Sequence, residues 1–169
     1  RIDGEYEDAR HPKNVQFTAS LLEDLKRRDF TINAMAYNDK NGLIDAFDGV
    51  GDLERGVIRC VGCAMERFSE DALRMLRAVR FAAQLGFDIE AETKEAMVKL
   101  APDIAKISAE RIQTELVKLI TSAHPGEIRT AWETGLTAVF LPEFDRMMAT
   151  PQNTKHHCYS VGELSLIHI

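Results

Sequence analysis

The stretch Phe68-Ser-Glu-Asp-Ala-Leu-Arg-Met-Leu-Arg-Ala-Val-Arg-Phe-Ala-Ala-Gln-Leu-Gly-Phe87 has two chemically different sides when it is placed on a helix. At about 100° per residue, its apolar residues gather on one side. Asp71, Arg74, Arg77 and Arg80 step slowly around the other side. We therefore predict a single helix over these residues, with a buried face and a cationic row.

The cationic row is unusual for a surface helix. Such helices commonly alternate acids and bases at i,i+4 spacing, whereas three arginines follow Asp71 here at intervals of three with no acid among them. Arginine offers a planar fork of donors to a phosphate or a base edge, and an adjacent Asp adds an acceptor beside a donor, as a nucleobase edge requires. The pattern favours an anionic ligand, although a solvated amphipathic helix with stem-covering arginines would have the same pattern.

Composition limits the classes of function. The chain has 169 residues, enough for one core or two small ones. Its net charge of −6 argues against electrostatic binding of nucleic acid by the surface as a whole, so an RNA contact needs a local basic patch. No apolar run approaches the roughly 18 residues of a membrane span, and we predict no membrane partner. Three cysteines, an odd number, predict free thiols in a reducing, cytoplasmic setting.

Upstream, Arg27-Arg-Asp-Phe-Thr-Ile-Asn-Ala-Met-Ala-Tyr37 is predicted to form a helix capped by Asp29. The residues expected to share its inward face are Phe30, Asn33, Ala34 and Tyr37. A buried Asn33 must bond to the backbone or to a ligand. Arg27 and Arg28 would lie at the positive end of the helix, where phosphate is favoured. A capped core helix with two surface arginines is the alternative.

The order of elements predicts an α+β chain. Helices and short strands mix up to residue 62, and from residue 63 onward the patterns predict helices only. The predicted helices cover residues 20–26 (burying Leu21, Leu22 and Leu25), 52–55, 91–100, 102 onward, 109–122 and 126–134. The predicted strands cover 15–17, 43–44 and 57–61. We therefore divide the chain at 1–62, 63–150 and 151–169. In the last part, residues 164–169 have neither cap nor partner in their pattern, and we interpret them as foreign to the natural reading frame.

Cys60-Val-Gly-Cys63 has the spacing of a zinc ligand pair, which His156, His157 and Cys158 could complete. A lone pair of this kind is weak evidence, and we predict no metal site in this sequence. In the helix at 109–122, Glu115 is expected to pair with Arg111 at i,i+4 spacing.

Four stretches occur in a recognisable order. They are Arg27-Arg-Asp-Phe-Thr-Ile-Asn-Ala34, Ile44-Asp-Ala-Phe-Asp-Gly with Asp52-Leu53 and Ile58-Arg59, Glu70-Asp-Ala-Leu-Arg74, and Ser108-Ala-Glu-Arg-Ile-Gln-Thr-Glu115. Together they resemble the motifs of the bacterial class II tRNA nucleotidyltransferase and poly(A) polymerase family. The resemblance runs from about residue 1 to residue 159. Asn153 to Glu163 resembles the entry to an HD phosphohydrolase domain, but the expected His is replaced by Leu164.

The resemblance implies the C-terminal part of a polymerase-beta-type nucleotidyltransferase head, followed by an all-α neck and body domain that binds RNA. It implies transfer of CMP or AMP from CTP or ATP to the 3′ end of tRNA, with Mg²⁺. The nucleotide-binding residues implied are Arg28, Asp71, Arg74, Arg77 and Arg80, and the supporting ones are Arg27, Asp29, Asn33 and Glu70. Asp71 and Arg74 would pair with the base edge, Arg28 with the incoming nucleotide, and Arg77 and Arg80 with the nucleotide and its phosphates.

One departure from the family bears on activity. The Gly-Gly-x-Val-Arg-Asp loop and the Asp-x-Asp metal pair of the family are absent from this sequence. The carboxylates that hold Mg²⁺ are therefore expected upstream of Arg1, the chain is expected to be truncated at both ends, and the chain alone is predicted to be inactive. A CCA-adding enzyme, a poly(A) polymerase and an enzyme that adds only part of CCA share these motifs. A non-catalytic module that binds nucleotide or RNA remains the alternative of another class.

Overall fold

The structure is a computed structural model that describes residues 2–3, 15–16, 20–152 and 159–167. The helices of this part are α1 (Leu21–Lys26), α2 (Gly49–Arg55), α3 (Ala64–Glu70), α4 (Leu73–Leu85), α5 (Ala91–Leu100), α6 (Ala109–Ile120), α7 (Ile128–Glu133), α8 (Thr137–Phe140), α9 (Pro142–Ala149) and α10 (Val161–Ile167). Short 3-10 helices cover Thr31–Asn33, Ala101–Lys106 and Pro125–Glu127. No helix among the described residues is long and apolar enough to cross a membrane.

Short strands pair two by two within the described residues. β1 (Ile2–Asp3) pairs antiparallel with β2 (Val15–Gln16), β3 (Met35–Asn38) antiparallel with β4 (Gly42–Asp45), and β5 (Val57–Ile58) parallel with β6 (Asp88–Ile89). The prediction of no strand after residue 62 is therefore wrong. Two residues are too few to establish an alternating pattern, so β6 leaves no signal in the sequence. The mixture of helices and short strands confirms the α+β class.

The apolar face of α4 lies at the centre of the core. Met75, Leu76, Ala78 and Val79 have no exposed surface, and α4 contacts α6, α7 and the 3-10 turn Pro125–Glu127. Several of the buried residues on α4 are alanines, which let neighbouring backbones approach closely. Gly86 ends the helix in the left-handed conformation at φ 69°, which glycine adopts readily at a helix C-terminus.

The single helix predicted over residues 68–87 is in fact two helices. α3 ends at Glu70, Asp71 is extended (φ −152°, ψ 102°), and α4 begins at Leu73. The Asp71 carboxylate accepts a hydrogen bond from the Leu73 N–H at 3.1 Å. A short acidic side chain satisfies a free N–H at a helix start in this way, and it therefore favours a break over an unbroken helix. Asp71 thus lies at the beginning of α4.

The helix predicted over residues 27–37 is wrong as well. The chain forms the 3-10 turn Thr31–Asn33 and then strand β3. Phe30 bridges antiparallel to Cys60, and the Thr31 N–H donates to the Arg59 carbonyl at 3.0 Å. These pairings with a distant segment override the local helical pattern. Tyr37 consequently points outward and is 71% exposed.

Two smaller predictions are also wrong. In α1 only Leu25 is buried, whereas Leu21 and Leu22 are exposed. At the other end of the chain, Ser160 and Glu163 exchange backbone and side-chain hydrogen bonds, which makes a capping box for α10. Leu166 of that helix packs against the core, so the described part of residues 164–169 has both a cap and a partner.

A buried ion pair joins α4 to α6. Arg80 Nε lies 2.6 Å from Glu115 Oε2, although these two atoms are out of line for a hydrogen bond. Both side chains are nearly inaccessible to water. Arg80 also donates to Gln84 Oε1 at 2.8 Å. Burial lowers the pKa of Arg80, and the Glu115 carboxylate opposes that shift. The expected pairing of Glu115 with Arg111 is wrong, because Glu115 faces α4.

We predict that Glu115→Ala lowers the free energy of unfolding by about 3–5 kcal/mol, because it leaves the Arg80 charge buried without a partner. Urea denaturation followed by circular dichroism measures the loss. The matched control is Glu110→Ala on the exposed side of α6, which should cost less than about 1 kcal/mol. Equal losses in the two variants would contradict a stabilising role for the pair.

Candidate functional site

A cleft of about 570 Å³ lies where the segment around residue 29 meets the first turns of α4 and α6. Its lining residues are Arg27, Arg28, Asp29, Asn33, Asp71, Leu73, Arg74, Arg77, Phe81 and Arg111. Five arginines and two aspartates give these side chains a formal charge of +3, in a chain whose net charge is −6. The positive charge is thus concentrated in one concave site, and such a site attracts an anion.

Asp71 lies just before the first residue of α4, and both of its carboxylate oxygens have a hydrogen-bond donor. Oδ1 accepts from the Leu73 N–H, and Oδ2 lies 2.7 Å from an Nη2 donor of Arg111 on α6. The side chains of Asp71 and Arg111 keep about a quarter of their surface exposed. The carboxylate is therefore fixed in direction and still reachable from the cleft.

Arg74 lies one turn further along α4 and is held by three acceptors. Nη1 donates to Glu70 Oε2 at 2.7 Å and to the Arg67 carbonyl at 3.0 Å, and Nη2 donates to the Arg27 carbonyl at 3.2 Å. The last bond crosses from α4 to the segment that follows α1. Glu70 does not line the cleft, and its contribution is to orient Arg74.

A second contact between α4 and the segment after α1 joins Arg77 to Asp29. Arg77 donates from Nε at 2.8 Å and from Nη2 at 2.5 Å to Asp29 Oδ2. The other oxygen of Asp29 accepts from the Phe30 N–H and from Asn33 Nδ2, at 2.9 and 3.2 Å. Asn33 therefore bonds to the side chain of Asp29, whereas a bond to the backbone or to a ligand was expected. Two donors of Arg77 thus converge on one oxygen of Asp29, and these charge-assisted hydrogen bonds hold the two side chains together.

Arg27 and Arg28 line the outer part of the cleft and share one acid. Both form ion pairs with Asp24 of α1, and the hydrogen bond from Arg27 lowers the pKa of that carboxyl group. Arg28 keeps 48% of its side chain exposed. An exposed ion pair of this kind is weak, so Arg28 can turn toward a ligand at small cost.

Arg80 is the one predicted nucleotide-binding residue that does not line the cleft within the described part of the chain. Its guanidinium is paired with Glu115 and lies 3.8 Å from the centre of the Phe81 ring. Phe81 itself lines the cleft and meets Phe30 edge-on, with ring centres 5.7 Å apart. Arg80 therefore supports a wall of the cleft from behind.

Three lining residues were not predicted as site residues. Leu73 and Phe81 belong to the stretch that predicted the arginine row, but an apolar residue gives no signal of a site when it also fits a core. Arg111 belongs to the stretch Ser108 to Glu115 and was interpreted as a partner of Glu115. The signal that could have identified it is its position in that stretch, which is one of the four that carry the family resemblance.

Zinc binding at Cys60 and Cys63 has no support from the described residues. Burial raises the pKa of the Cys60 thiol to about 12, whereas Cys63 is exposed. Within the described part of the chain, no three His, Cys, Asp or Glu residues gather as a metal site would require. His156, His157 and Cys158 lie outside the described residues.

Two family models match the chain. The model for the poly A polymerase head domain matches residues 1–59, and the model for the probable RNA and SrmB-binding site of polymerase A matches residues 86–148. The stretch between them contains α3 and all of α4, and the candidate cleft is lined by residues of this stretch and of both matched regions.

Curated proteins similar to this chain are CCA-adding enzymes. The CCA-adding enzyme of Leuconostoc mesenteroides is 54% identical over 75% of this chain and 32% of its own length. That of Geobacillus kaustophilus is 51% identical over 84% of this chain and 35% of its own length. The chain therefore spans about a third of the length of the curated relatives it matches.

Solved structures agree with the fold. The Bacillus stearothermophilus CCA-adding enzyme in complex with CTP matches 79% of this chain and 34% of its own, with a TM-score of 0.75 at 44% identity. The Thermotoga maritima CCA-adding enzyme complexed with tRNA matches 73% of this chain and 31% of its own, with a TM-score of 0.67 at 35% identity. The chain belongs to the class II CCA-adding enzyme and poly(A) polymerase family.

We predict that the two described cysteines differ sharply in reactivity. The thiolate is the reactive form of cysteine, and the raised pKa of Cys60 keeps its thiol protonated at pH 8, whereas Cys63 is open to solvent. Iodoacetamide should label Cys63 in the folded chain and leave Cys60 unmodified, as measured by peptide mass spectrometry. Denatured chain is the control, in which both should react. Labelling of both at one rate in the folded chain would contradict the burial of Cys60.

Proposed function

We propose that the cleft binds a nucleoside triphosphate, and that the longer protein carrying this chain adds CCA to the 3′ end of tRNA from CTP and ATP. The observation that carries the proposal is the meeting of Asp71, Arg74, Arg28 and Asn33 in one positively charged cleft. These residues come from two segments more than thirty positions apart. The family of the chain and its CCA-adding relatives support the same reading.

The proposed selection uses one acceptor and one donor. Cytosine and adenine each present an amino donor, whereas uracil and guanine present a carbonyl acceptor at the corresponding position. An ionised Asp71 can only accept, and Arg74 can only donate. Cytosine and adenine therefore suit the pair through the amino group and the ring nitrogen beside it. Uracil and guanine would set acceptor against acceptor and donor against donor, which leaves polar groups unpaired.

The remaining arginines of the cleft would hold the phosphates. Arg28 is half exposed, and Arg77 keeps 33% of its side chain exposed while it bonds to Asp29. Guanidinium groups bind phosphate oxygens bidentately, so these side chains suit a triphosphate better than a neutral ligand. Arg80 is paired with Glu115 and would affect the nucleotide only by supporting Phe81 in the wall of the cleft.

Mg²⁺ in phosphoryl transfer stabilises the charge of the transferring group and activates the attacking hydroxyl. The described residues gather no set of carboxylates for it. We propose that those carboxylates belong to parts of the longer protein that this chain does not include, because the chain spans about a third of its relatives. This chain would then select the nucleotide, and a neighbouring part would catalyse its transfer.

The chain alone is expected to transfer no nucleotide. Incubated with tRNA lacking CCA, Mg²⁺ and radiolabelled CTP or ATP, it should give no extended product on a sequencing gel. The longer protein that contains it is the positive control. Extension of tRNA by the chain alone would contradict the division of roles proposed here.

In the longer protein, Arg74→Ala should reduce the preference for CTP over UTP by about 10- to 100-fold, since a hydrogen bond to a charged group is worth about 1.5–3 kcal/mol. Incorporation of each nucleotide, supplied separately, measures the preference. The matched control is Arg146→Ala, which removes an exposed arginine paired with Glu143 outside the cleft. Unchanged selection of CTP and ATP in Arg74→Ala would contradict the base-pairing role.

The same assay separates the related activities. On tRNAs lacking CCA, CA or A, a CCA-adding enzyme should extend all three with the correct nucleotide at each step. Addition of A alone would favour an A-adding enzyme or a poly(A) polymerase, which the motifs of this chain do not distinguish. No addition by the longer protein, with nucleotide still bound, would favour a non-catalytic binding module.

A further inference from the structure

Arg67 of α3 is a charged residue near the cleft to which the proposed function gives no role. Its side chain keeps only 12% of its surface exposed, and it does not line the cleft within the described part of the chain. It also lies in the stretch between the regions that the two family models match. We infer that Arg67 is a positioning residue for base selection, acting on Arg74 from outside the cleft. The inference rests on the proposed function and extends it to a residue that does not contact the nucleotide.

Arg67 and Arg74 share one acid. Arg67 Nη2 lies 2.6 Å from Glu70 Oε1, and Arg74 Nη1 donates to Glu70 Oε2 at 2.7 Å. The two arginines therefore contact the two oxygens of one carboxylate. Arg74 also donates to the backbone carbonyl of Arg67 at 3.0 Å. Because a carboxylate contacted by a cation at each oxygen is restricted in direction, Arg67 determines where Glu70 presents its acceptor to Arg74.

The same two arginines hold the end of α1. The last carbonyl groups of a helix have no partner within it, and cations are favoured there. Arg67 Nη1 donates to the Lys26 carbonyl at 3.3 Å, and Arg74 Nη2 donates to the Arg27 carbonyl at 3.2 Å. The chain enters the cleft at these positions. The side chains of α3 and α4 thus fix the point from which that segment starts.

Arg67 is therefore a bridge between the two segments that form the cleft. Arg74 belongs to the part that would pair with the base, and Arg28, just after α1, belongs to the part that would hold the phosphates. A guanidinium group is a planar fork of donors, so it can span two acceptors at a set distance. Arg67 uses Nη2 for Glu70 and Nη1 for the end of α1. Its loss would leave Glu70 with one arginine and allow Arg74 to change direction.

A purely structural role makes a different prediction. If Arg67 only stabilised α3, its loss would lower the stability of the fold and leave the choice of base unchanged. If it acts through Arg74, its loss should reduce base selection only while Arg74 is present. Residues of one hydrogen-bond network have non-additive effects. Combining the two substitutions therefore separates the two roles.

The test is a double-mutant cycle in the longer protein, with Arg67→Ala, Arg74→Ala and the two combined. The measured quantities are the ratio of kcat/KM for CTP over UTP, on tRNA lacking CCA, and for ATP over GTP, on tRNA lacking A. We expect Arg67→Ala to lower each ratio about fivefold, within the range of coupling between neighbours in one network. The combined variant should have the same ratios as Arg74→Ala.

Two further variants complete the test. Arg67→Lys keeps the charge but replaces the planar fork with a compact ammonium group, so it should recover the melting temperature and leave the ratios lowered. The same cycle is run with Arg67→Lys if Arg67→Ala does not fold. The control is Lys94→Ala, which removes a basic residue that joins α5 to Glu133 of α7 away from the cleft, and it should leave both ratios unchanged. Melting curves show which variants are folded at the assay temperature.

Three results would overturn the inference. The first is unchanged ratios in a folded Arg67→Ala variant. The second is a combined variant whose loss is the product of the two single losses, because Arg67 would then act independently of Arg74. The third is full recovery of the ratios in Arg67→Lys, because charge alone would then suffice. A wild-type protein that prefers neither CTP to UTP nor ATP to GTP would instead overturn the proposed function itself.

Discussion

The structure depends on the burial of the apolar face of α4. Several of its side chains have no exposed surface, and it touches α6, α7 and the turn before α7. Burying one face of a helix determines where the opposite face lies. On the other face of the helix, Arg74 and Arg77 bond to the segment around Asp29, and Asp71, just before the helix, bonds to Arg111 of α6. The cleft is therefore a consequence of core packing, because the same helix supplies both.

The charges in the cleft are already paired before any ligand arrives. Asp71 bonds to Arg111, Asp29 bonds to Arg77, and Arg74 bonds to a carboxylate and two carbonyl groups. Such pairing reduces the cost of holding five arginines close together. It also fixes the direction of each donor and acceptor, so the side chains lose little further conformational entropy when a nucleotide binds. Exposed Arg28 is the least constrained of the cleft arginines discussed above.

The sequence predicted the helices more reliably than their junctions. The 3.6-residue pattern placed α5, α6 and the end of α4 to within two residues, because those helices bury one face. The break at Asp71 was missed, since an Asp inside an apolar–polar pattern fits a helix surface as well as a helix start. The segment from Arg27 to Tyr37 was mistaken for a helix because its pairing partner, around Cys60, lies far along the chain. No local pattern reports such a contact.

The candidate site was predicted in part for the same reason. Asp71, Arg74 and Arg77 lie at regular spacing on one helix, which made them visible in the sequence. Arg111 was not recognised, because its partner Asp71 is 40 residues away. Arg80 has the same spacing as the others but turns into a buried pair with Glu115. A regular spacing identifies the side of a helix, and only the packing of neighbouring helices determines which residues on that side face solvent.

The most direct measurement is a crystal structure of the chain with CTP bound. The account predicts that the cytosine amino group lies about 3 Å from an Asp71 carboxylate oxygen and its ring nitrogen about 3 Å from a guanidinium nitrogen of Arg74. The triphosphate should lie between Arg28 and Arg77 and accept hydrogen bonds from their guanidinium groups. A cytosine held elsewhere, with Asp71 and Arg74 still bonded only to protein groups, would contradict the account.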